Sequence, residues 1–346
     1  MSKKYRVGIL GATGTVGQRF VQLLENHPQF EITALAASDR SVGKNFAEAC
    51  AWKLAGEMPE NVKEIEVQPI EPSLDCDFVF SSLPSSVSRE TEEAFARANY
   101  PVISNSSSFR MEEDIPLLIP EINHEHLKLI ETQKEKRGFD KGFIVTNPNC
   151  AVVSFAPPLA ALHRKYSIES VFVTTMQAIS GAGYPGVSSF DILDNVMPYI
   201  AGEEPKVETE AQKILGEFNN GLIEKADFTV SAQCFRVNVL DGHTASVRVK
   251  LKQTSTLEGV MEAMANFPSL ELYSSPKSFM KLCDEPSRPQ PRLDRENGKG
   301  MTITVGRLFP DNIFDYRFVA LSHNTVRGAA GSAILNAELL ISKGYI

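Results

Sequence analysis

The pentapeptide Thr146-Asn147-Pro148-Asn149-Cys150 follows a short apolar run and precedes an apolar segment with helical spacing. Asparagine is a preferred helix N-cap, so Asn149 places Cys150 in the first turn of a helix. Unpaired amides and the helix dipole there favour the thiolate, which makes Cys150 a nucleophile reactive well below pH 8. The same amides suit an oxyanion formed at an attacked carbonyl. A helix-start cysteine is also compatible with inert packing, and the neighbouring features decide between the two readings.

Thiol chemistry needs a proton carrier, and six histidines are available. His27, His124, His126, His163 and His323 occupy ordinary positions in helices, at helix ends or in polar stretches. His243 differs, because it follows Asp241-Gly242 between two strand-like runs. A two-residue hairpin turn at that dipeptide pairs Leu240 with His243 and Arg236 with Val247. Arg236 and His243 then project from one face, a carboxylate-binding cation beside a general acid/base.

Gly11-Ala12-Thr13-Gly14-Thr15-Val16-Gly17 stands between a strand and a helix, the context a phosphate-binding turn requires. Gly11 permits the tight turn, Gly14 lets backbone approach a pyrophosphate, and Gly17 allows close helix–strand packing. Thr13, Thr15 and Val16 bring free amides to the helix start, where an anion is held. The second strand runs into Ala37-Ser38-Asp39-Arg40-Ser41. Ser38, Arg40 and Ser41 suit a ribose 2′-phosphate while Asp39 points away, so NADP(H) is the expected cofactor; Asp39 leaves a plain charged turn open.

These groups need a scaffold. The first 150 residues alternate apolar runs (Tyr5–Leu10, Glu31–Ala37, Asp77–Ser81, Val102–Asn105, Phe143–Thr146) with helical patterns at Thr15–Asn26 and Glu90–Ala98. Such a series predicts an α/β, Rossmann-like parallel sheet with ligands beyond its carboxyl edge. After Cys150 a helix is expected over Ala151–Lys165, kinked or cut short by Pro157 and Pro158. Strands at Val171–Ile179, Phe228–Val239, His243–Leu251, Met301–Leu308 and Tyr316–Leu321 then alternate with helices at Val187–Tyr199, Val207–Phe218 and Leu257–Asn266. They predict an α+β second domain with a mixed, largely antiparallel sheet. Asp284–Gly300 reads as a surface loop or interface arm. The expected division is residues 1–149 with the C-terminal helix 324–346, and 150–323.

Thirty-five basic residues are dispersed against 43 acidic ones for a net charge of -8, so neither nucleic acid nor an anionic membrane is an expected partner. The opening MSKKYRVGIL is too short for a secretory signal, and no apolar run approaches the roughly 20 residues of a membrane span. Cys50, Cys76, Cys234 and Cys283 form no CxxC pair with each other or with Cys150, so neither a disulfide framework nor a metal site is expected. A reducing, cytoplasmic setting fits.

Five segments carry a resemblance: GATGTVGQRF, SNSSSFR (Ser104–Arg110), TNPNC (Thr146–Cys150), QAISGAGYPG (Gln177–Gly186) and FRVNVLDGHT (Phe235–Thr244). On these the chain resembles the aspartate-β-semialdehyde dehydrogenase family, in its archaeal and fungal branch, over nearly the whole length. The resemblance implies NADPH-dependent reductive dephosphorylation of L-4-aspartyl phosphate to L-aspartate 4-semialdehyde, on the route to lysine, threonine and methionine. It implies Cys150 as thioester-forming nucleophile, His243 as acid/base, Arg236 for the α-carboxylate and Gln177 for the acyl group. Glu203 is implied for the ammonium, Lys206 and Arg110 for phosphate, and Ser82, Ser180, Gly181 and Asn324 for the cofactor. The resemblance assigns catalysis and dimerisation to the second domain, and a homodimer or homotetramer is implied as well.

Each role has a plainer rival. Glu203 and Lys206 also suit a helix start, with Glu204 the alternative acid; Arg110 also suits an ion pair with Glu112 or Glu113; Gln177 also suits a sheet edge. Two other functions remain open on sequence: an acyl-CoA reductase of the malonyl-CoA reductase type, which offers no ammonium to Glu203, and a dinucleotide-binding regulator without catalysis.

Overall fold

A computed structural model describes residues 4–346; the first three residues of the N-terminal segment considered above lie outside it. Strands Tyr5–Leu10 (β1), Phe30–Ala36 (β2), Val67–Gln68 (β3), Phe78–Ser81 (β4), Pro101–Ser104 (β5) and Phe143–Thr146 (β6) form one sheet in the order β3-β2-β1-β4-β5-β6. Every pairing in it is parallel. The order reverses between β1 and β4, and that switch point opens a crevice beyond the strand ends. The Thr15–Leu24 helix buries Phe20, Val21 and Leu24, and the Phe20 ring stacks on Phe80 at 4.6 Å, fixing the helix over the sheet. The Ser85–Arg97 helix starts five residues earlier than its apolar spacing indicates, because its first turn is polar and largely exposed.

The second sheet takes strands Ile168–Gln177 (β7), Val196–Met197 (β8), Thr229–Val237 (β11), His243–Leu251 (β12), Met280–Cys283 (β13), Ile303–Pro310 (β14) and Tyr316–Ser322 (β15). A separate hairpin joins Glu217–Asn219 (β9) to Leu222–Glu224 (β10). The seven-stranded order is β13-β14-β15-β12-β7-β11-β8, and the sheet is mixed. The expected hairpin between Arg236 and His243 does not form. β11 runs parallel to β7 on one side, and β12 runs antiparallel to β7 on the other. The linker instead crosses the end of β7, where the amides of Ile179 and Ser180 donate to the carbonyls of Val239 and Leu240.

Pro157 and Pro158 neither stop nor shorten the Val152–Tyr166 helix, which is buried at twelve positions. Core packing on that scale offsets the roughly 3 kcal/mol cost of an internal proline. The expected helix over 187–199 reduces to Ser189–Ile192 and the short β8. Phe190, 96% exposed, and Leu193, 59% exposed, find no core in this chain, so the packing that sustains an amphipathic helix is missing. Asp284–Gly300 is no free arm: Asp294 is buried and binds Arg288, the Gln290 amide and Asn297.

The chain ends on a π-helical turn, Val326–Ala330, and the Gly331–Ser342 helix. Ala333, Ile334, Ala337 and Leu340 share one apolar cluster with Val7, Phe20, Phe80 and Val145. Arg327, fully buried, makes a two-pronged ion pair with Glu121 at 2.9 and 2.6 Å.

His126 is buried as a neutral ring. Nδ1 lies 3.0 Å from the Asn123 amide nitrogen and Nε2 lies 2.9 Å from the Gly216 carbonyl, which leaves no acceptor for a second ring proton. Burial lowers its pKa from 6.5 to about 4. Between those values the unfolded chain binds a proton that the native state refuses, so stability falls as pH drops through 6.5 toward 4. His126→Asn removes about 2 kcal/mol of the loss between pH 7.5 and 5. Urea titrations of both proteins at the two pH values test this; equal losses would assign the acid lability elsewhere.

Candidate active site

One continuous groove runs between the two sheets, bounded by the glycine turn, by Ser82–Ser85, by Ser180–Tyr184 and by Asn324, Thr325, Gly328 and Ala329. At its dinucleotide end Gly11 has φ +79°, a conformation strained for residues with a Cβ, and it packs on Ser82. A Cβ on Gly17 would lie 2.3 Å from the Gly11 carbonyl, so this glycine is required for the helix to seat on the turn. Thr13, Gly14, Thr15 and Val16 line the groove where the first helical amides have no intrahelical partner. The cradle therefore fits a dinucleotide phosphate. Ser180 Oγ accepts from Asn324 Nδ2 at 2.8 Å, and Asn324 Oδ1 accepts from the Gly242 amide at 2.8 Å. That network holds the loop after β7 beside the end of β15.

Ser38, Arg40 and Ser41 do not line this groove. They form the turn after β2, where Ser38 and Arg40 are exposed and Ser41 is buried with its amide on the Ser38 carbonyl. A cation from further along the chain, Lys53, lines the groove instead and lies 4.6 Å from the Tyr184 ring centroid.

Cys150 Sγ and His243 Nε2 are 3.2 Å apart at the groove floor. Asn149 Oδ1 accepts from the amides of Ala151 and Val152 at 2.7 and 3.3 Å, the N-terminal capping read from its type. His243 Nδ1 accepts from the Ala178 amide at 3.1 Å, so the neutral ring carries its proton on Nε2 and donates toward sulfur. Burial, with Arg236 and His323 nearby, lowers the His243 pKa to about 3. The thiol is shifted the other way: burial and then the Glu203 charge push Cys150 up to about 12, against Arg110, Arg236 and a backbone hydrogen bond. The pair is thus a thiol and a neutral imidazole, not the thiolate that helix position alone leads one to expect. Enclosure outweighs the helix terminus.

The strand register explains how Arg236 reaches this pair without a hairpin. Arg236 is opposite Gln177 on β7, and on its other side β7 pairs Met176 with Thr244, next to His243. Arg236 Nη1 donates to the Ala178 carbonyl at 2.7 Å, and Gly181 lies over both Arg236 and His243. Glu203 is buried and accepts from Asn149 Nδ2 at 2.8 Å, Gln177 Nε2 at 3.1 Å and Lys206 Nζ at 3.4 Å. Its side chain does not cap the Glu204–Ile214 helix. Glu204 turns away to the Cys234 amide and is no substitute. Arg110 is likewise not the partner of Glu112 or Glu113, which meet Arg89, Arg137 and Lys136; it binds Glu210 at 3.1 Å. The structure therefore brings together Cys150, His243, Arg110, Gln177, Glu203, Lys206 and Arg236.

Family models match on both sides of this groove: residues 6–130 fit the semialdehyde dehydrogenase NAD binding domain, and residues 159–327 fit the semialdehyde dehydrogenase dimerisation domain. The chain is 52% identical to the aspartate-semialdehyde dehydrogenase of Archaeoglobus fulgidus over 99% of its length and 100% of the relative's. The chain belongs to the aspartate-semialdehyde dehydrogenase family. The Schizosaccharomyces pombe family member is 48% identical over 99% of each chain. A crystal structure of the Candida albicans aspartate semialdehyde dehydrogenase with NADP superposes with a TM-score of 0.91 at 41% identity, covering 99% of this chain and 100% of that one.

Two residues, Lys53 in this family member's groove and Glu210 buried behind it, escape a reading of its sequence. Lys53 has no motif around it. Glu210 does leave a trace: Glu203, Lys206 and Glu210 are spaced as one helix face, continued by Lys213. Among the described residues no helix is long and apolar enough to cross a membrane.

Proposed function

We propose that the chain reduces L-4-aspartyl phosphate to L-aspartate 4-semialdehyde and phosphate with NADPH, through a thioester on Cys150. The observation that carries this reading is the buried Glu203 carboxylate set among Arg110, Lys206 and Arg236 around the Cys150–His243 pair. A substrate with one ammonium, one carboxylate and one phosphoryl group matches that set. Arg236 takes the α-carboxylate, Glu203 the ammonium, Arg110 and Lys206 the phosphoryl oxygens, and Gln177 the acyl group. When bound, NADPH supplies a hydride, with its pyrophosphate on Thr13, Gly14, Thr15 and Val16 and its nicotinamide half near Ser180, Gly181 and Asn324. Ser82 buttresses the turn. The turn after β2, outside the groove lining, carries Ser38, Arg40 and Ser41 for the 2′-phosphate, and the NADP of the Candida relative supports NADP(H) as the cofactor.

Sulfur attacks the acyl carbon and the C–O bond to phosphate breaks. The thiol proton leaves with the phosphoryl group, which departs as hydrogenphosphate between Arg110 and Lys206. His243 cannot accept that proton while the Ala178 amide occupies Nδ1. After reduction of the thioester carbon, the C–S bond breaks to give the aldehyde and a Cys150 thiolate, which Nε2–H of His243 stabilises by donating a hydrogen bond across the 3.2 Å contact. A solvent proton then restores the thiol. The covalent intermediate splits one difficult displacement into two easier steps. We further infer a homodimer or homotetramer formed through the second domain, a cytoplasmic location, and a division at residues 149/150 with 324–346 returning to the first unit.

Purified protein given aspartate semialdehyde and NADP forms NADPH only when phosphate is present, and more slowly with NAD. Phosphate-independent turnover, or faster turnover with coenzyme A, would replace this assignment with an acyl-CoA reductase.

A further inference from the structure

The Glu204–Ile214 helix belongs to the second domain, yet two of its side chains hold a loop of the first. Glu210, 1% exposed, uses both carboxylate oxygens. Oε1 accepts from Arg110 Nη1 at 3.1 Å, and Oε2 accepts from the Asn149 amide at 2.5 Å, one residue before the nucleophile. One turn on, the buried Lys213 donates to the carbonyls of Arg110, Glu112 and Ile115 at 2.8, 2.7 and 2.8 Å. Arg110 Nη2 is taken by the Asn105 carbonyl at 2.8 Å, and Nε is enclosed without a partner. Every hydrogen bond of this guanidinium thus comes from Glu210 or from its own loop, and Arg110 itself lines the groove.

We propose that Glu210 is a positioning residue that aims Arg110 at the phosphoryl oxygens and ties that aim to the backbone carrying Cys150. The inference rests on the phosphate-binding role given to Arg110 above. A glutamine has the shape of Glu210 but only one acceptor oxygen. In Glu210→Gln either Arg110 or the Asn149 amide must face an NH2 group, a donor against a donor. Aspartate keeps both acceptors on a stem one methylene shorter.

The test measures KM for phosphate and KM for aspartate semialdehyde separately, in the oxidative direction, for wild type, E210Q, E210D, R110K and R110K/E210Q. Dependence of the wild type on phosphate checks the Arg110 reading on its own, before any variant is compared. With that dependence in place, E210Q raises KM for phosphate about tenfold or more and changes KM for the semialdehyde less than about threefold. E210D recovers most of the difference, and R110K/E210Q is no worse than R110K, because Glu210 acts through Arg110. A fall in kcat with both KM values unchanged, or additive losses in the double variant, would overturn the proposal. Should E210Q not fold, E210A and R110K/E210A carry the same comparison, with the same two KM values read.

Discussion

Replacing Cys150 with serine lowers turnover by at least about three orders of magnitude while the protein keeps its fold. The size of the loss follows from the imidazole. In serine-based acyl transfer the histidine nitrogen facing the hydroxyl is free to take its proton. Here the Ala178 amide occupies Nδ1, so Nε2 carries a hydrogen and faces sulfur as a donor. A hydroxyl at position 150 gains no base from it, and an alkoxide is a far poorer leaving group than a thiolate when the reduced intermediate collapses. Steady-state assays of C150S alongside C150A measure the effect, and turnover of C150S within tenfold of wild type would remove the covalent route. The same geometry sets a pH signature. Burial keeps the Cys150 thiol protonated, so iodoacetamide labelling of the ligand-free protein is still rising at pH 9. A plateau near pH 7 would mean a preformed thiolate instead.

The second large effect is expected at Gly328, in the π-helical turn Val326–Ala330. A Cβ built there lies 2.8 Å from Cys150 Cβ and 3.2 Å from Cys150 Cα, inside any ordinary carbon–carbon contact. One side is buried helix start and the other is a turn anchored by the Arg327–Glu121 ion pair, so neither yields cheaply. Gly328→Ala displaces the nucleophile by a fraction of an ångström relative to His243. A misplacement of about 1 Å can cost about a hundredfold, so a shift of a fraction of that lowers kcat by about tenfold or more, and overpacking adds about 1–3 kcal/mol of destabilisation. Measuring kcat beside the thermal midpoint separates the two. Unchanged kcat with a lowered midpoint would show that Cys150 stays in place and that Gly328 serves only packing.

Much of this site is legible in the sequence because its signals are local. The glycine turn is bracketed by a strand and a helix, and Asn149 caps the helix that presents Cys150. The π-helical crowding at Gly328 is not legible, since it pairs a residue near the C-terminus with one from the middle of the chain. Nor is the relation of Arg236 to His243. An Asp-Gly dipeptide between two apolar runs is the usual mark of a hairpin, but β7 lies between those runs and pairs with both. That insertion is decided by long-range packing, to which periodicity is blind. The charge states fail to read out for a related reason. A helix start favours a thiolate, whereas enclosure by the second domain is a tertiary property that reverses the balance. The weak patterns fail in the expected way: the polar start of the Ser85–Arg97 helix hides it, and the apolar residues of 187–199 imply a helix that has no core to pack on.

The return of the final helix to the first sheet has a bearing on the order of events during synthesis. The core around Phe20 and Phe80 is completed by Ala333, Ile334, Ala337 and Leu340, and Asn147 holds both the Ala329 carbonyl and Asn336. Those side-chain contacts span 182 and 189 residues. A nascent chain that has finished the dinucleotide unit therefore emerges with an open seam and waits through the whole second domain for the piece that closes it. Contacts of such long sequence separation make folding slow, and during that wait the exposed seam is the surface a chaperone would hold.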